Sequence, residues 1–341
     1  MRTLHDTLST NPSLAVWIEG LKRVQIKTDQ QEEIAMVPAD HVRIRTMYSG
    51  ISAGSEMLVY RGQVPKGMTL GLNTSSKEGL IDYPVKYGYC NVGRVVKVGE
   101  NCKRLTTGNV VFTFHPHETE FVISEESCVP IPDDIPPINA VFIANFETAI
   151  GIVHDANIRL GDHAIVIGLG IVGLLVSVLS QRSGSSVIAL EKLKNRLELA
   201  RSLGIPSFDR TDQDFSPDVI IETSGNPAAL QEAIDMSGPE TRIVVGSWYG
   251  SKEVRLDLGQ KFHRNRNQII SSQVSRINPA LQGRWSKERR LLLAVDLLRQ
   301  LPLSKLITDI FPFVDAARAY EKIDKHPEST LQVVLDYTEH A

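Results

Sequence analysis

Cysteine is scarce in this 341-residue chain. Only Cys90, Cys102 and Cys128 occur, and no two form a CxxC pair. That excludes a disulfide framework and fits a reducing, cytoplasmic compartment. An excess of positive charge is also missing: Lys and Arg number 37 against 40 Asp and Glu, for a net charge of −3. This argues against a nucleic-acid or anionic-membrane partner. No apolar run reaches the roughly 20 residues of a membrane span. The longest candidate, residues 164–179, is broken by Gly168, Gly170 and Gly173. Residues 1–11 are polar and lack the apolar core of a secretory signal. Internal repeats and low-complexity stretches are absent as well. The expectation is a soluble protein of two domains, each large enough for its own core.

What is present begins with those three glycines. Residues 163–179 read as an apolar strand, a tight turn and a helix, with Gly168, Gly170 and Gly173 in the GxGxxG spacing. A second strand ends at Glu191, 18 residues past Gly173. A dinucleotide site needs this arrangement. Gly168 makes the turn, Gly170 lets the backbone approach a pyrophosphate, and Gly173 lets helix pack on strand. Ile171 and Val172 open the helix, whose free N–H groups and partial positive charge suit phosphates. Glu191 would accept hydrogen bonds from a ribose diol. It repels a 2′-phosphate and so favours NAD, while Lys192 and Arg196 just beyond it leave NADP open.

The pattern along the chain divides in two. Residues 15–18, 23–27, 42–48, 85–98, 109–114 and 120–124 read as short strands, and residues 54–83 as loop and short helix. Residues 130–137, with four prolines, read as a surface connection. A helix is expected over 139–157. Strands at 163–167, 187–191, 218–222, 241–246 and 268–274 then alternate with helices at 171–183, 194–203 and 227–236. Such alternation implies a parallel sheet with right-handed crossovers. A late helix over 289–301 and a strand over 331–337 close the chain.

A mostly β first part, a dinucleotide fold and a C-terminal return resemble the medium-chain dehydrogenase/reductase superfamily. Residues 48–56, Tyr-Ser-Gly-Ile-Ser-Ala-Gly-Ser-Glu, resemble its catalytic loop. Residues 88–99 resemble its Gly-His-Glu element, residues 159–162 the segment before its nucleotide strand, and residues 218–225 the strand ending beside the nicotinamide. The resemblance implies an α/β protein with a GroES-like, mostly β catalytic domain (1–145 with 275–341) and a Rossmann, doubly wound nucleotide-binding domain (146–274). It also implies a homodimer. Zinc-dependent members place cysteine where Ser52 stands and His-Glu where Tyr89 and Cys90 stand. The third ligand position falls near residues 143–145, which supply no thiolate, and the four-cysteine structural lobe is missing. Zinc needs three or four N, S or O ligands in fixed geometry, so no zinc is expected. The Gly-Ile-Ser-Ala-Gly-Ser-Glu pattern, with residues 86–89 and 115–117, is similar to a zinc-less branch near bacteriochlorophyllide a dehydrogenases and threonine-dehydrogenase-like proteins.

Without a metal, hydrogen-bond donors and a proton relay must serve the reacting oxygen. Ser55 aligns with the family hydroxyl that relays the substrate proton, or caps a turn of its loop. Glu56 orients a neighbour or a substrate hydroxyl, or is a surface acid. His117 suits acid–base work, whereas His115 reads as structural. Tyr89 either donates to a substrate oxygen or fills the vacated metal space. Glu147 contacts nicotinamide with a carboxyl raised by desolvation, or is an ordinary acid near a helix N-terminus. Ser224, Gly246, Ser247 and Trp248 fall beside the cofactor by the resemblance. The expected function is zinc-independent, NAD(P)-dependent hydride transfer between nicotinamide and a secondary alcohol or ketone as small-molecule substrate. A quinone- or enoyl-type reductase using NADPH, and a catalytically silent nucleotide-binding sensor, are the alternatives.

Overall fold

The structure, a computed structural model, describes residues 12–28, 37–69, 81–210 and 216–338. The reading of residues 1–11, and of 70–80 within the expected loop, lies outside the described residues. Strands β1 (Leu14–Gly20) and β2 (Arg23–Thr28) pair antiparallel. There follow β3 (His41–Ile51), the short helix α1 (Ser55–Tyr60), β4 (Asn91–Val98), β5 (Val110–Thr113), β6 (Glu120–Ser124) and β7 (Cys128–Pro130). Buried and half-exposed residues alternate along most of β3, as a strand with one core face requires. Residues 85–98 form strand only from Asn91; Val85 instead makes an isolated bridge to Ile18. The proline-rich connection is pinned to the core rather than loose on the surface, because Ile131 and Ile135 are buried.

Helix α2 (Ile143–Ala156) is preceded by 3-10 turns over Pro137–Phe142 and ends at Asn157 in the left-handed region, φ 50°. Then β8 (His163–Ile167), α3 (Ile171–Arg182), β9 (Ser186–Leu190), α4 (Lys194–Ser202), β10 (Ser207–Phe208), β11 (Val219–Glu222), α5 (Pro227–Met236), β12 (Arg242–Val245) and β13 (Gln268–Ser271) alternate. The strands form a six-stranded parallel sheet in the order β10-β9-β8-β11-β12-β13. Ala164, Val166, Val219, Ile221 and Val244 face a core shared with α2, α3 and α4. Ile165, Ile167, Ile220 and Ile243 face α5 on the other side. Both faces are covered, which is why these strands read as continuous apolar runs. The chain is thus an α/β protein with a doubly wound parallel sheet.

The chain closes with α6 (Lys287–Leu297), β14 (Ile307–Pro312), α7 (Ala316–Lys325) and β15 (Gln332–Asp336). The last two strands join a seven-stranded mixed sheet in the order β14-β15-β3-β4-β5-β7, with β6 also on β3. Sequence patterning did not find β14 or α7. Yet α7 buries Ala316, Ala319, Tyr320 and Ile323 at helical spacing, so its signal was present.

Candidate active site

The parallel sheet reverses direction of growth between β8 and β11, so their carboxyl ends frame a crevice suited to a ligand. Gly168, at φ +91°, turns the chain out of β8. A Cβ there would stand 2.5 Å from the Ser224 backbone. At Gly173 a Cβ would come within 1.9 Å of the Gly168 carbonyl oxygen, so this glycine permits helix and turn to touch. Gly170 differs: a Cβ there meets nothing within 4 Å, because it points into open space. The three glycines therefore do three different jobs, the middle one leaving room for a ligand.

That space is a cleft of about 750 Å³, in the range of small-molecule sites. Gly168, Gly170, Ile171, Val172, Glu191, Lys192, Arg196, Ser224, Gly246, Ser247 and Trp248 all line it. Glu191 accepts hydrogen bonds from the backbone N–H groups of Leu169 (2.9 Å), Lys192 (2.7 Å) and Leu193 (3.1 Å). It is thereby locked against the glycine turn. Arg196 stands 3.7 Å from Glu191. Its guanidinium also donates to the Pro327 and Thr330 carbonyls, at 2.8 and 3.1 Å, which ties α4 to the loop after α7. Lys192 is exposed, 3.8 Å from Glu232. Ser247 accepts from the Gly225 N–H at 2.8 Å. Glu222 is fully buried at the end of β11, where it accepts from Ser224 (2.5 Å) and Tyr249 (2.6 Å). Its carboxylate fixes the turn that follows β11.

The other end of the cleft is lined by Ser52, Ser55, Tyr89, Asn145 and Thr148, with Arg61 and Lys252 nearby. Ser55 thus faces the cleft. Glu56, His117 and Glu147 are absent from its lining, and all three are buried. Glu56 accepts from the Ser52 N–H (2.8 Å) and from the Tyr320 hydroxyl (2.5 Å), and its Oε2 lies 2.9 Å from His117 Nε2. His117 Nδ1 is 2.7 Å from Ser49 Oγ, which is 2.9 Å from the Tyr337 hydroxyl. A carboxylate can only accept, so with Glu56 ionised Nε2 carries the ring proton and Nδ1 accepts from Ser49. The network holds the 52–56 loop from behind. His115 is separate, at 2.7 Å from Glu118 and stacked on Phe121 at 3.6 Å. The two histidines flanking Pro116 therefore serve different acids.

Glu147, on α2, accepts from Arg290 of α6 at 2.6 Å. Burial pushes its carboxyl above the usual range, with the Arg290 charge acting against that rise. The expected desolvation is there, but it comes from a helix–helix contact. No local signal could reveal the pairs Glu147–Arg290 or Glu56–Tyr320, whose partners lie 143 and 264 residues apart.

Cys90 is buried and donates its thiol to the Val141 carbonyl at 2.9 Å. Burial pushes that thiol up to about 12, against a hydrogen bond from Gly50. Among the described residues no three His, Cys, Asp or Glu side chains gather as a metal-ligand cluster.

A doubly wound parallel sheet, a glycine turn and a cleft lined by hydroxyls accord with the relatives, which are named dehydrogenases and reductases acting on alcohols and sugars: the chain is an alcohol-dehydrogenase-like oxidoreductase. No family model matches the chain. It is 26% identical over 328 residues to D-guloside 3-dehydrogenase of Escherichia coli, covering 88% of this chain and 93% of that protein. It is 23% identical over 298 residues to D-xylulose reductase of Saccharomyces cerevisiae, covering 75% and 83%. An uncharacterized zinc-type alcohol dehydrogenase-like protein of Haemophilus influenzae is 23% identical over 206 residues, 60% of this chain and 59% of that one. The fold matches 2R,3R-butanediol dehydrogenase of Bacillus subtilis with a TM-score of 0.76 at 18% identity, over 95% of this chain and 99% of that one. It also matches a zinc-binding dehydrogenase, so titled, of Sinorhizobium meliloti bound to NADP (TM-score 0.75, 16% identity, 96% and 99% covered) and an E. coli alcohol dehydrogenase complexed with NADH (0.75, 21%, 96% and 100%). These relatives are named dehydrogenases and reductases, and the chain is similar to them in sequence and in fold.

Proposed function

We propose that the chain transfers a hydride between NAD(P)(H) and a secondary alcohol or ketone without zinc. One observation carries the reading: a single cleft runs from the glycine turn at Gly168–Gly173 to the hydroxyls of Ser52, Ser55 and Tyr89. With pyrophosphate at the start of α3 and ribose at Glu191, the nicotinamide falls at the Ser52–Tyr89 end. The relatives' names, a guloside dehydrogenase and a xylulose reductase, favour a polyhydroxylated substrate. Glu191 favours NAD, as a carboxylate repels a 2′-phosphate.

Zinc does not fit the donors at this end, even though one relative carries a zinc-type name and two proteins of similar fold are titled zinc-binding. Ser52 and Tyr89 replace strong ligands with neutral hydroxyls. Cys90 is a protonated thiol turned to a backbone carbonyl, whereas zinc takes the thiolate. In this reading Ser55 meets substrate. Glu56 and His117 position the loop beneath it, and Glu147 braces α2 against α6.

The test is a panel of secondary alcohols, polyols, ketones and enones with NAD(H) and NADP(H), followed by nicotinamide absorbance. Turnover of alcohols or ketones is expected. Turnover of enones alone would instead support the quinone- or enoyl-reductase alternative, and no turnover with retained cofactor binding a silent sensor.

A further inference from the structure

Two cations, Arg61 and Lys252, line the cleft where its two walls meet. Arg61 closes α1, the helix that Ser55 opens, and Lys252 stands on the loop after β12. That loop is seated on the turn after α1. The Ser251 N–H donates to the Gln63 carbonyl at 2.9 Å, and a Cβ on Gly250 would stand 2.1 Å from that oxygen. A close backbone contact therefore brings the two cations together. Arg61 gives its Nε to Asp324 at 2.6 Å, which leaves its terminal Nη groups for a ligand. Lys22 also reaches Asp324, at 2.8 Å, so one carboxylate is shared by two cations. Lys252 donates to the Gly225 carbonyl at 2.8 Å, a neutral partner. Burial, with the Arg61 charge second, pushes the Lys252 ammonium below its ordinary value, and Glu222 acts against that fall. Glu222 itself is taken by Ser224 and Tyr249. The acids of the cleft lining, Glu191, Asp209, Glu232 and Asp235, lie after β9 and β10 and on α5; none of them comes from α1 or the loop after β12.

We propose that Arg61 and Lys252 form a subsite for an oxyanion on the substrate, a carboxylate or a phosphate set apart from the carbon that exchanges the hydride. The assignment rests on the hydride-transfer reading above and names its substrate class: hydroxylated acids or phosphate esters rather than neutral polyols. The cofactor's pyrophosphate has another place, in the open space at Gly170 before the N–H groups of α3. Glu191 turns away a 2′-phosphate. A guanidinium fork matches the oxygens of a carboxylate or phosphate, and an ammonium adds a point charge. Such charge-assisted hydrogen bonds favour the charged substrate over its neutral counterpart by roughly tenfold or more.

Matched substrates separate charge from shape. Glucitol, galactitol and mannitol are compared with the hexonates and hexitol phosphates of the same configuration, and with the neutral alcohols and ketones of the panel above. The readout is kcat/KM with NAD(H) and NADP(H) at fixed ionic strength. Wild type should prefer a hexonate or a hexitol phosphate to its hexitol by roughly tenfold or more, and added salt should narrow that preference. The arm that is preferred tells a carboxylate from a phosphate. Lys252→Met and Arg61→Met should each cut the charged-over-neutral ratio about tenfold, chiefly through KM. Lys252→Arg should keep most of it. NADH fluorescence titration should give wild-type cofactor affinity in each variant. Turnover equal on charged and neutral substrates, or confined to neutral ones, would overturn the subsite. A preference that survives both Met variants would do the same. So would a Lys252→Met protein that keeps its thermal unfolding transition yet loses NADH affinity, since the cations would then serve the cofactor's phosphates. Binding of NADH without turnover of any substrate would overturn the hydride-transfer reading, and the subsite with it.

Discussion

Alanine at Gly170 tests the cofactor cradle with the least disturbance to the fold. Gly170 has φ −68° and ψ −178°, a backbone conformation any residue adopts. Its missing Cβ would meet no heavy atom within 4 Å, and it lines the cleft. Gly170→Ala should therefore fold normally. Loss of glycine freedom in the unfolded chain could even add about 0.4–1 kcal/mol of stability. The added methyl group, however, occupies space assigned to the pyrophosphate. Overpacking a fitted site costs about 1–3 kcal/mol, a loss of roughly 5- to 150-fold in NADH affinity. Gly173→Ala makes the opposite test, because its Cβ would sit 1.9 Å from the Gly168 carbonyl oxygen. Helix α3 must then shift off the turn, so thermal stability should fall. NADH fluorescence titration and thermal unfolding of the two variants decide the matter. A Gly170→Ala protein with wild-type NADH affinity would refute the placement of the pyrophosphate, and one that unfolds would refute the account of the turn.

Further outcomes follow from other contacts. Glu191→Ala should weaken NAD(H) binding more than NADP(H) binding, measured by paired titrations; equal weakening counts against the ribose assignment. Gly88 has φ +131°, and a Cβ there would meet the His117 ring at 2.7 Å. Gly88→Ala should thus cost about 1–3 kcal/mol in denaturant unfolding and loosen the 52–56 loop. Arg290→Met leaves Glu147 buried without its cation, a loss of about 3–5 kcal/mol. A carboxyl raised by burial binds its proton more tightly in the folded state, so this variant should lose further stability as pH rises above about 4.3, the ordinary glutamate value. Flat stability of the variant against pH would count against an unpaired buried carboxyl.

The cofactor half was legible because its signal is local. A turn, two strands and an acid at a fixed spacing are written within 30 residues, from His163 to Glu191. The positions of Gly170 and Glu191 follow from that spacing alone. The catalytic half was legible only by type. Ser55 lines the cleft, whereas Glu56, His117 and Glu147 are buried outside its lining. Their partners, Tyr320, Ser49 and Arg290, come from strands and helices distant in sequence. Residue type suggests that an acid or histidine can titrate; only the packing of α2 on α6, or of the 52–56 loop on α7, decides whether it meets the cleft. Tyr89 is the reverse case. Its aromatic ring reads first as filler of the space a zinc ligand would hold, and in the structure it lines the cleft beside Ser52 and Ser55.

The central proposal is that this cleft works without zinc, through the hydroxyls that line it. The direct measurement is zinc content and ketone or alcohol turnover on the same purified sample, before and after dialysis against a chelator. The account predicts turnover with far less than one zinc per chain, unchanged by the chelator. About one tightly held zinc per chain, with activity lost on its removal and restored on its return, would contradict it.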